Sequence, residues 1–430
     1  MRRSSTFIGC LALVFLTVPL QAQEASMIKT LSRAMDPVII TGKESALSGK
    51  AIAQYGLAAL NNGVLAPIPF QIDEKDGEGK FILTAGKRPK QARGNALFDD
   101  TDELVFMAMD TGDRLPEASD MLKNAKTAVE IEVTDPVSTE KGWVYLTLSE
   151  SDAQRSSLDY VSYDPATPAF KTRNYSGQYN RKFPAGASKY AFEAGLGGRG
   201  DDFIDRIKIR VKTKSMGLSI NRTEADILVE EEGYIDGPVR VIVYTKNITP
   251  LFLGIPASAT HQYTYYYDTY ADFAFKAGFP IKPGYFRAMV IDDFKNATGW
   301  RFYNSNNREG HLIDGKMDDT DRKLDLSPWR WSVLSNGDFS FWSVWIAPPG
   351  CPVKASLYFK DDLGAEDPLE ENQGEAPGIG FDFNTGWEAV KTSSVEIRLL
   401  HFYTKGYQKG MEETILNIHE KPLTTRPIRR

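Results

Sequence analysis

A chain of 430 residues with 42% hydrophobic, 25% charged and 11% aromatic residues, 35 Gly, 23 Pro and 2 Cys has a globular composition. Such values exclude a disordered, collagen-like, coiled-coil or disulfide-stapled chain and leave room for two or three cores, or one large sandwich with a small companion. The formal net charge of −6 makes a phosphate backbone a poor partner, so nucleic acid is set aside.

At the N-terminus, Arg2 and Arg3 precede an apolar run at 7–19, and Ala22 supplies a small residue for cleavage. This is the pattern of a signal peptide (1–22), and the run is shorter than the roughly 20 residues a spanning helix needs. The expectation is an exported, soluble chain beginning near Gln23 and placed in the periplasm, at the cell surface or outside the cell, with no transmembrane segment. Cys351 is then its one cysteine, and no intramolecular disulfide can form. The basic run from Lys87 to Arg93 reads as a solvated loop.

From there the pattern is almost uniformly β. Alternating or β-branched runs occur at 104–109, 127–133, 143–148, 204–212, 239–245, 262–275, 286–291, 329–334, 339–347, 353–359 and 395–403. Turn signals such as Ile235-Asp236-Gly237 and Asn336-Gly337 separate them, because Gly and Asn accept the positive φ angles of tight hairpins. Helical spacing is confined to Met27–Met35 and Met411–Ile418. The expected fold is all-β and of β-sandwich type: a smaller N-terminal β domain over 23–165 and a larger antiparallel sandwich over 166–430. Between them, polar and turn-forming residues crowd 150–200, with short strands expected at Tyr160–Tyr163 and Phe170–Tyr175. The acidic stretch 364–378 reads as a surface loop.

Acidic clusters are the first chemical feature. Asp99, Asp100, Asp102 and Glu103 precede one strand, and Asp318, Asp319 and Asp321 crowd a turn. Hard oxygen ligands at this density suit calcium, the one cofactor the sequence suggests. Solvated turns and Arg-paired loops are the competing reading, since no EF-hand spacing is present. No CxxCH, Walker or GxSxG motif occurs, so there is no haem, nucleotide or flavin signature and no nucleophile elbow.

Aromatic residues are the second feature. Tyr263 and Tyr265 lie in one strand, and Trp329, Trp331 and Trp345 in a hairpin whose two faces are both apolar. Flat rings beside hydroxyl and charged groups suit the C–H faces of sugars, and core packing explains the same residues without a ligand. The leading function is therefore interaction with an envelope or extracellular polysaccharide, by binding or by lyase-type cleavage. A non-enzymatic envelope scaffold with a protein partner and a glycoside hydrolase with two carboxylates are the alternatives. The residues to inspect for acid, base or anion-neutralising roles are His261, Tyr263, Tyr265, Arg287, His311 and Arg330.

Overall fold

The structure is a computed structural model that describes residues 27–87, 94–117, 119–180, 186–215, 218–250, 258–278, 285–327, 330–364, 376–390 and 394–430. The apolar run at 7–19, most of the basic run, Trp329 and most of the acidic stretch 364–378 lie outside the described residues.

The fold is all-β: five antiparallel sheets are stacked in layers, and Met411–Glu420 is the single α-helix among the described residues. Its central layer is a nine-stranded sheet, built mainly from Val241–Thr249, Ser258–Tyr266, Tyr270–Gly278, Ser394–Lys405 and Phe339–Ile346 as successive neighbours. The inner face of this sheet meets a five-stranded and a four-stranded sheet, and Val243, Tyr266, Phe273, Phe341, Leu399 and Tyr403 fill the space between. The short strands expected near 160 and 170 are present as Val161–Asp164 and Ala169–Thr172, within the four-stranded sheet.

The outer face is covered twice. Helix Met411–Glu420 lays Ile415 and Ile418 onto it, and the strand Glu103–Met107 adds Val105 and Met107 to the same cluster. Because successive strand residues point to opposite faces, Leu104 and Phe106 turn the other way, into an N-terminal core with Val38, Ile131 and Leu146. The three-stranded sheet holding Glu103–Met107 thus serves two cores at once. Beyond it lies a five-stranded sheet of Thr424–Arg429, Thr127–Thr134, Lys141–Leu148, Tyr55–Asn61 and Val64–Pro67. Thr424–Arg429, which the sequence leaves with the larger sandwich, is the edge strand of this N-terminal sheet and pairs with Thr127–Thr134.

Two sequence expectations need correction. Met27–Met35 is not helical, and its backbone runs alongside the N-terminal sheet, with Thr30 and Leu31 donating to the Lys141 carbonyl. The long run 262–275 is two strands, broken by a turn at Tyr267–Thr269. No helix of the described residues is long and apolar enough to cross a membrane.

Candidate functional site

The outer face of the nine-stranded sheet is left open where neither the helix nor the three-stranded sheet covers it. Cross-strand register arranges its side chains in rows. Tyr244 pairs with Tyr263, Tyr263 with Ala274, and Ala274 with Arg398. The parallel row on one side is His261, Lys276 and Glu396; on the other side Tyr265 pairs with Asp272. All of these alternate with residues that point into the inner core, which is why Gln262, Thr264 and Tyr266 are buried while His261, Tyr263 and Tyr265 are only half-buried. Ala274 is the small member of its row, and its missing bulk leaves a depression between Tyr263 and Arg398.

A second wall comes from the N-terminal region. Asp76-Gly77-Glu78-Gly79-Lys80 forms a tight turn: Asp76 Oδ1 accepts the backbone N–H groups of Glu78 and Lys80 at 2.9 Å each, and Gly79 takes φ +77°. The turn brings Lys75 opposite Phe81. The chain then runs along the edge strand Leu228–Asp236, with paired backbone bonds between Ala85 and Tyr234. This approach depends on two glycines, since a Cβ on Gly86 would stand 2.4 Å from Gly233 Cα and one on Gly233 would stand 2.5 Å from the Ala85 carbonyl oxygen. The result puts Phe81 edge-on to Tyr263 at 5.7 Å and to Tyr265 at 6.1 Å, ring centre to ring centre.

Between the two walls runs a groove with a cavity of 820 Å³ at the His261 end, continuing into one of 340 Å³ beside Tyr265 and Tyr267. Phe81, Tyr263, Lys80 and Arg398 line both parts. Each of the two volumes lies within the range of small-ligand sites.

The polar groups are held from behind. Arg398 donates to buried Asp272 through Nε, at 3.1 Å, and through Nη2. At the deep end Arg240 is fully buried and donates to Asp73 through Nε and Nη2, at 2.9 and 2.7 Å, and to Tyr267 at 3.2 Å. Glu103 receives Arg240 and Lys75 together. Burial raises its pKa, but the two cations outweigh burial and hold it below the ordinary value. Burial pushes the Tyr265 hydroxyl upward against the opposing pull of Arg240. The Tyr244 hydroxyl lies 2.7 Å from Nδ1 of His261 and orients that ring.

Of the residues singled out by sequence, His261, Tyr263 and Tyr265 come together in this groove. The others do not join them. Trp331 is 3% exposed and packs with Trp342, Val333 and Ile418 in the outer-face core. Trp345 is half-buried and meets Phe383 edge-on at 5.8 Å, between the sheets. Both faces of the hairpin are thus covered by protein. Arg287 is engaged by Asp382, Arg330 by Glu420, and His311 Nε2 lies 2.6 Å from Asp321.

The acidic clusters are likewise engaged by protein donors. Asp102 accepts the backbone N–H groups of Lys75 and Asp99 at 2.7 Å each, Asp99 accepts from Asn95, and Asp100 from Ser48. Asp318 accepts from the Thr320 backbone, Asp321 from the Asp318 backbone, and Asp319 pairs with Arg322. Among the described residues no group of three or more carboxylate, His or Cys side chains is assembled around one point. In both clusters some of the oxygens that a calcium ion would use already accept protein N–H or O–H groups.

Sequence reasoning missed Lys75, Lys80, Phe81, Tyr244, Arg240 and Arg398. Arg240 and Arg398 leave a local signal, each as a charge inside a mostly apolar strand run.

No protein-family model matches the chain, and no curated protein sequence does. Among solved structures, an α-mannosidase from Enterococcus faecalis V583 aligns with 94% of this chain and 45% of its own, at 10% identity and a TM-score of 0.46. A protein of glycosyl hydrolase family 38 from Enterococcus faecalis aligns with 88% of this chain and 42% of its own, at 8% identity and a TM-score of 0.48. The galactose 1-epimerase of Lactobacillus acidophilus NCFM aligns with 56% of this chain and 95% of its own, at 10% identity and a TM-score of 0.38. This chain spans less than half the length of the two Enterococcus proteins. All three overlaps are partial.

Proposed function

We propose that the protein is exported and binds an envelope or extracellular polysaccharide in the groove between the 74–87 segment and the nine-stranded sheet. One observation carries this: Tyr263 and Tyr265, consecutive outward positions of one strand, pack edge-on with Phe81 and with it line two adjoining open cavities whose rims hold hydrogen-bonding groups. Successive rings on one strand suit successive sugar units, because each ring can cover a C–H face while Lys, Arg, Glu and His at the rim bond the hydroxyls. Lyase-type cleavage is the catalytic form that this site would support. A base takes the proton α to a sugar carboxyl, the C–O bond β to it breaks, a double bond forms, and the leaving oxygen takes up a proton. His261, oriented by Tyr244, is the group suited to accept the first proton.

The test is to replace Tyr263 and Tyr265 singly by Ala and measure both thermal unfolding and retention on a panel of polysaccharides. Lost retention with a near-unchanged melt supports the groove. Wild-type protein that is retained on no polysaccharide removes it.

A further inference from the structure

From the hydrogen-bonding state of the groove, we infer that its deep end is an anion subsite, so that the saccharide it takes is an acidic one bearing a carboxylate or a sulfate ester. This rests on the groove being a saccharide site and adds the class of sugar. Around the 340 Å³ end, every nearby carboxylate is already bonded by protein donors, and cationic donors remain. Glu103 is bonded by Lys75 and Arg240, Asp73 by Arg240 and Gln71, and Asp272 by Arg398. Asp76 accepts two backbone N–H groups. Asp73 and Asp272 lie behind the surface, with side chains 1% exposed, whereas the Arg398 side chain is 42% exposed.

Arg398 spends Nε and Nη2 on Asp272, and its Nη1 has no hydrogen bond among the described residues. Lys75 and Lys80 each bond one carboxylate, which leaves two of the three ammonium donors on each. These groups surround aromatic faces: Lys75 Nζ stands 4.9 Å from the centre of Phe81, and the Arg240 and Arg398 guanidiniums stand 5.4 and 6.0 Å from the centre of Tyr265. A group entering there finds spare donors on cations, and carboxylates that are already paired. That arrangement favours a multi-oxygen anion over a hydroxyl, which needs to donate as well as accept. A planar guanidinium fixed by a buried carboxylate is also pre-oriented, so little side-chain entropy is lost on binding.

The experiment uses the full chain and four polymers in two matched pairs: polygalacturonate and its methyl ester, dextran sulfate and dextran. Affinity is measured at low and moderate salt. Expected is binding to at least one anionic member, at least about tenfold tighter than to its neutral match and weakened by salt. Arg398→Gln and Lys80→Gln should each weaken it several-fold, while Lys126→Gln, on a distant surface, leaves it unchanged. Lys80 is exposed, so its variant folds even if removing Arg398 from Asp272 does not allow folding. Binding to dextran sulfate alone assigns the anion as a sulfate ester, and binding to polygalacturonate alone as a carboxylate. Equal affinity for charged and neutral partners, or equal loss in Lys126→Gln, overturns the subsite and leaves the groove reading standing. No binding to any of the four removes the groove reading itself.

Discussion

His401 Nε2 lies 3.5 Å from Oδ1 of Asp292, and both side chains are buried between the sheets of the large sandwich. Proximity suggests an ion pair, but the surroundings oppose charge on either group. Phe341 and Phe273 flank the imidazole at 4.9 and 5.1 Å, and burial lowers its pKa to about 3. Burial, with Asp293 adding to it, raises Asp292 to about 7 against the hydrogen bond from Ser343. The pair is a neutral imidazole beside a carboxyl that is protonated in mild acid.

A pH dependence follows from Asp292. Its folded pKa lies above the ordinary 3.8, so its contribution is fully present below about pH 4 and is lost as pH rises towards about 7. His401 acts in the opposite sense, adding stability between about pH 3 and its ordinary 6.5. In Asp292→Asn the falling contribution disappears. The stability of this variant relative to wild type should therefore rise between pH 4 and 7, by roughly 4 kcal/mol in all. Urea unfolding of both proteins across that range is the measurement, and a pH-independent difference would contradict it.

Arg240 joins the three-stranded sheet to the large one through Asp73 and Glu103. Arg240→Met leaves two carboxylates near each other without their buried cation and should cost about 3 to 5 kcal/mol. The double variant with Asp73→Asn should recover part of that loss. Additive losses in chemical denaturation would mean that the pair does not couple.

Trp331→Ala should cost roughly 3 to 5 kcal/mol, because the ring is enclosed in the outer-face core. Tyr263→Ala should cost far less, its ring being half-buried beside the groove. Thermal melts of the two variants, compared at equal concentration, separate a core aromatic from a groove one.

The acidic clusters already accept protein N–H groups. Chelation of divalent cations should leave the melting temperature unchanged at matched ionic strength. A fall of several degrees would show a cation bound in the native state.

A chain ended at Pro422 loses the edge strand Thr424–Arg429 and, with it, the Arg430 partner of buried Glu130. The N-terminal layers should then unfold at lower temperature than the rest. Hydrogen exchange at Val129, Ile131 and Val133 would report it directly.

The sequence makes the strands legible and leaves the arrangement hidden. Phe339–Ile346 and Ser394–Lys405 match their apolar runs to within a few residues, because a strand buried on both faces is continuously apolar. The short helix is foreseen from the spacing of its apolar residues, while Met27–Met35 has similar spacing without helix, as backbone pairing to Lys141 takes precedence. Half of the groove is readable: His261, Tyr263 and Tyr265 are local neighbours in one strand. The other half is Phe81 and Lys75, placed opposite by a turn and two close-packed glycines, and no local pattern encodes that meeting. Trp331 and Trp345 look like ligand platforms because sequence shows how apolar a strand is, not what covers it.

The N-terminal five-stranded sheet is completed by Thr424, which bonds to Thr134 across 290 residues. During synthesis the strand Thr127–Thr134 is made early and waits for almost all the intervening chain before its outer edge is covered. Closing so long a loop adds only modestly to the free-energy cost, since that cost grows with the logarithm of length. Its effect falls on timing: an open, apolar strand edge offers a pairing template to any other copy nearby. The interval before that edge closes, rather than the finished fold, is where this topology is most exposed to misassembly.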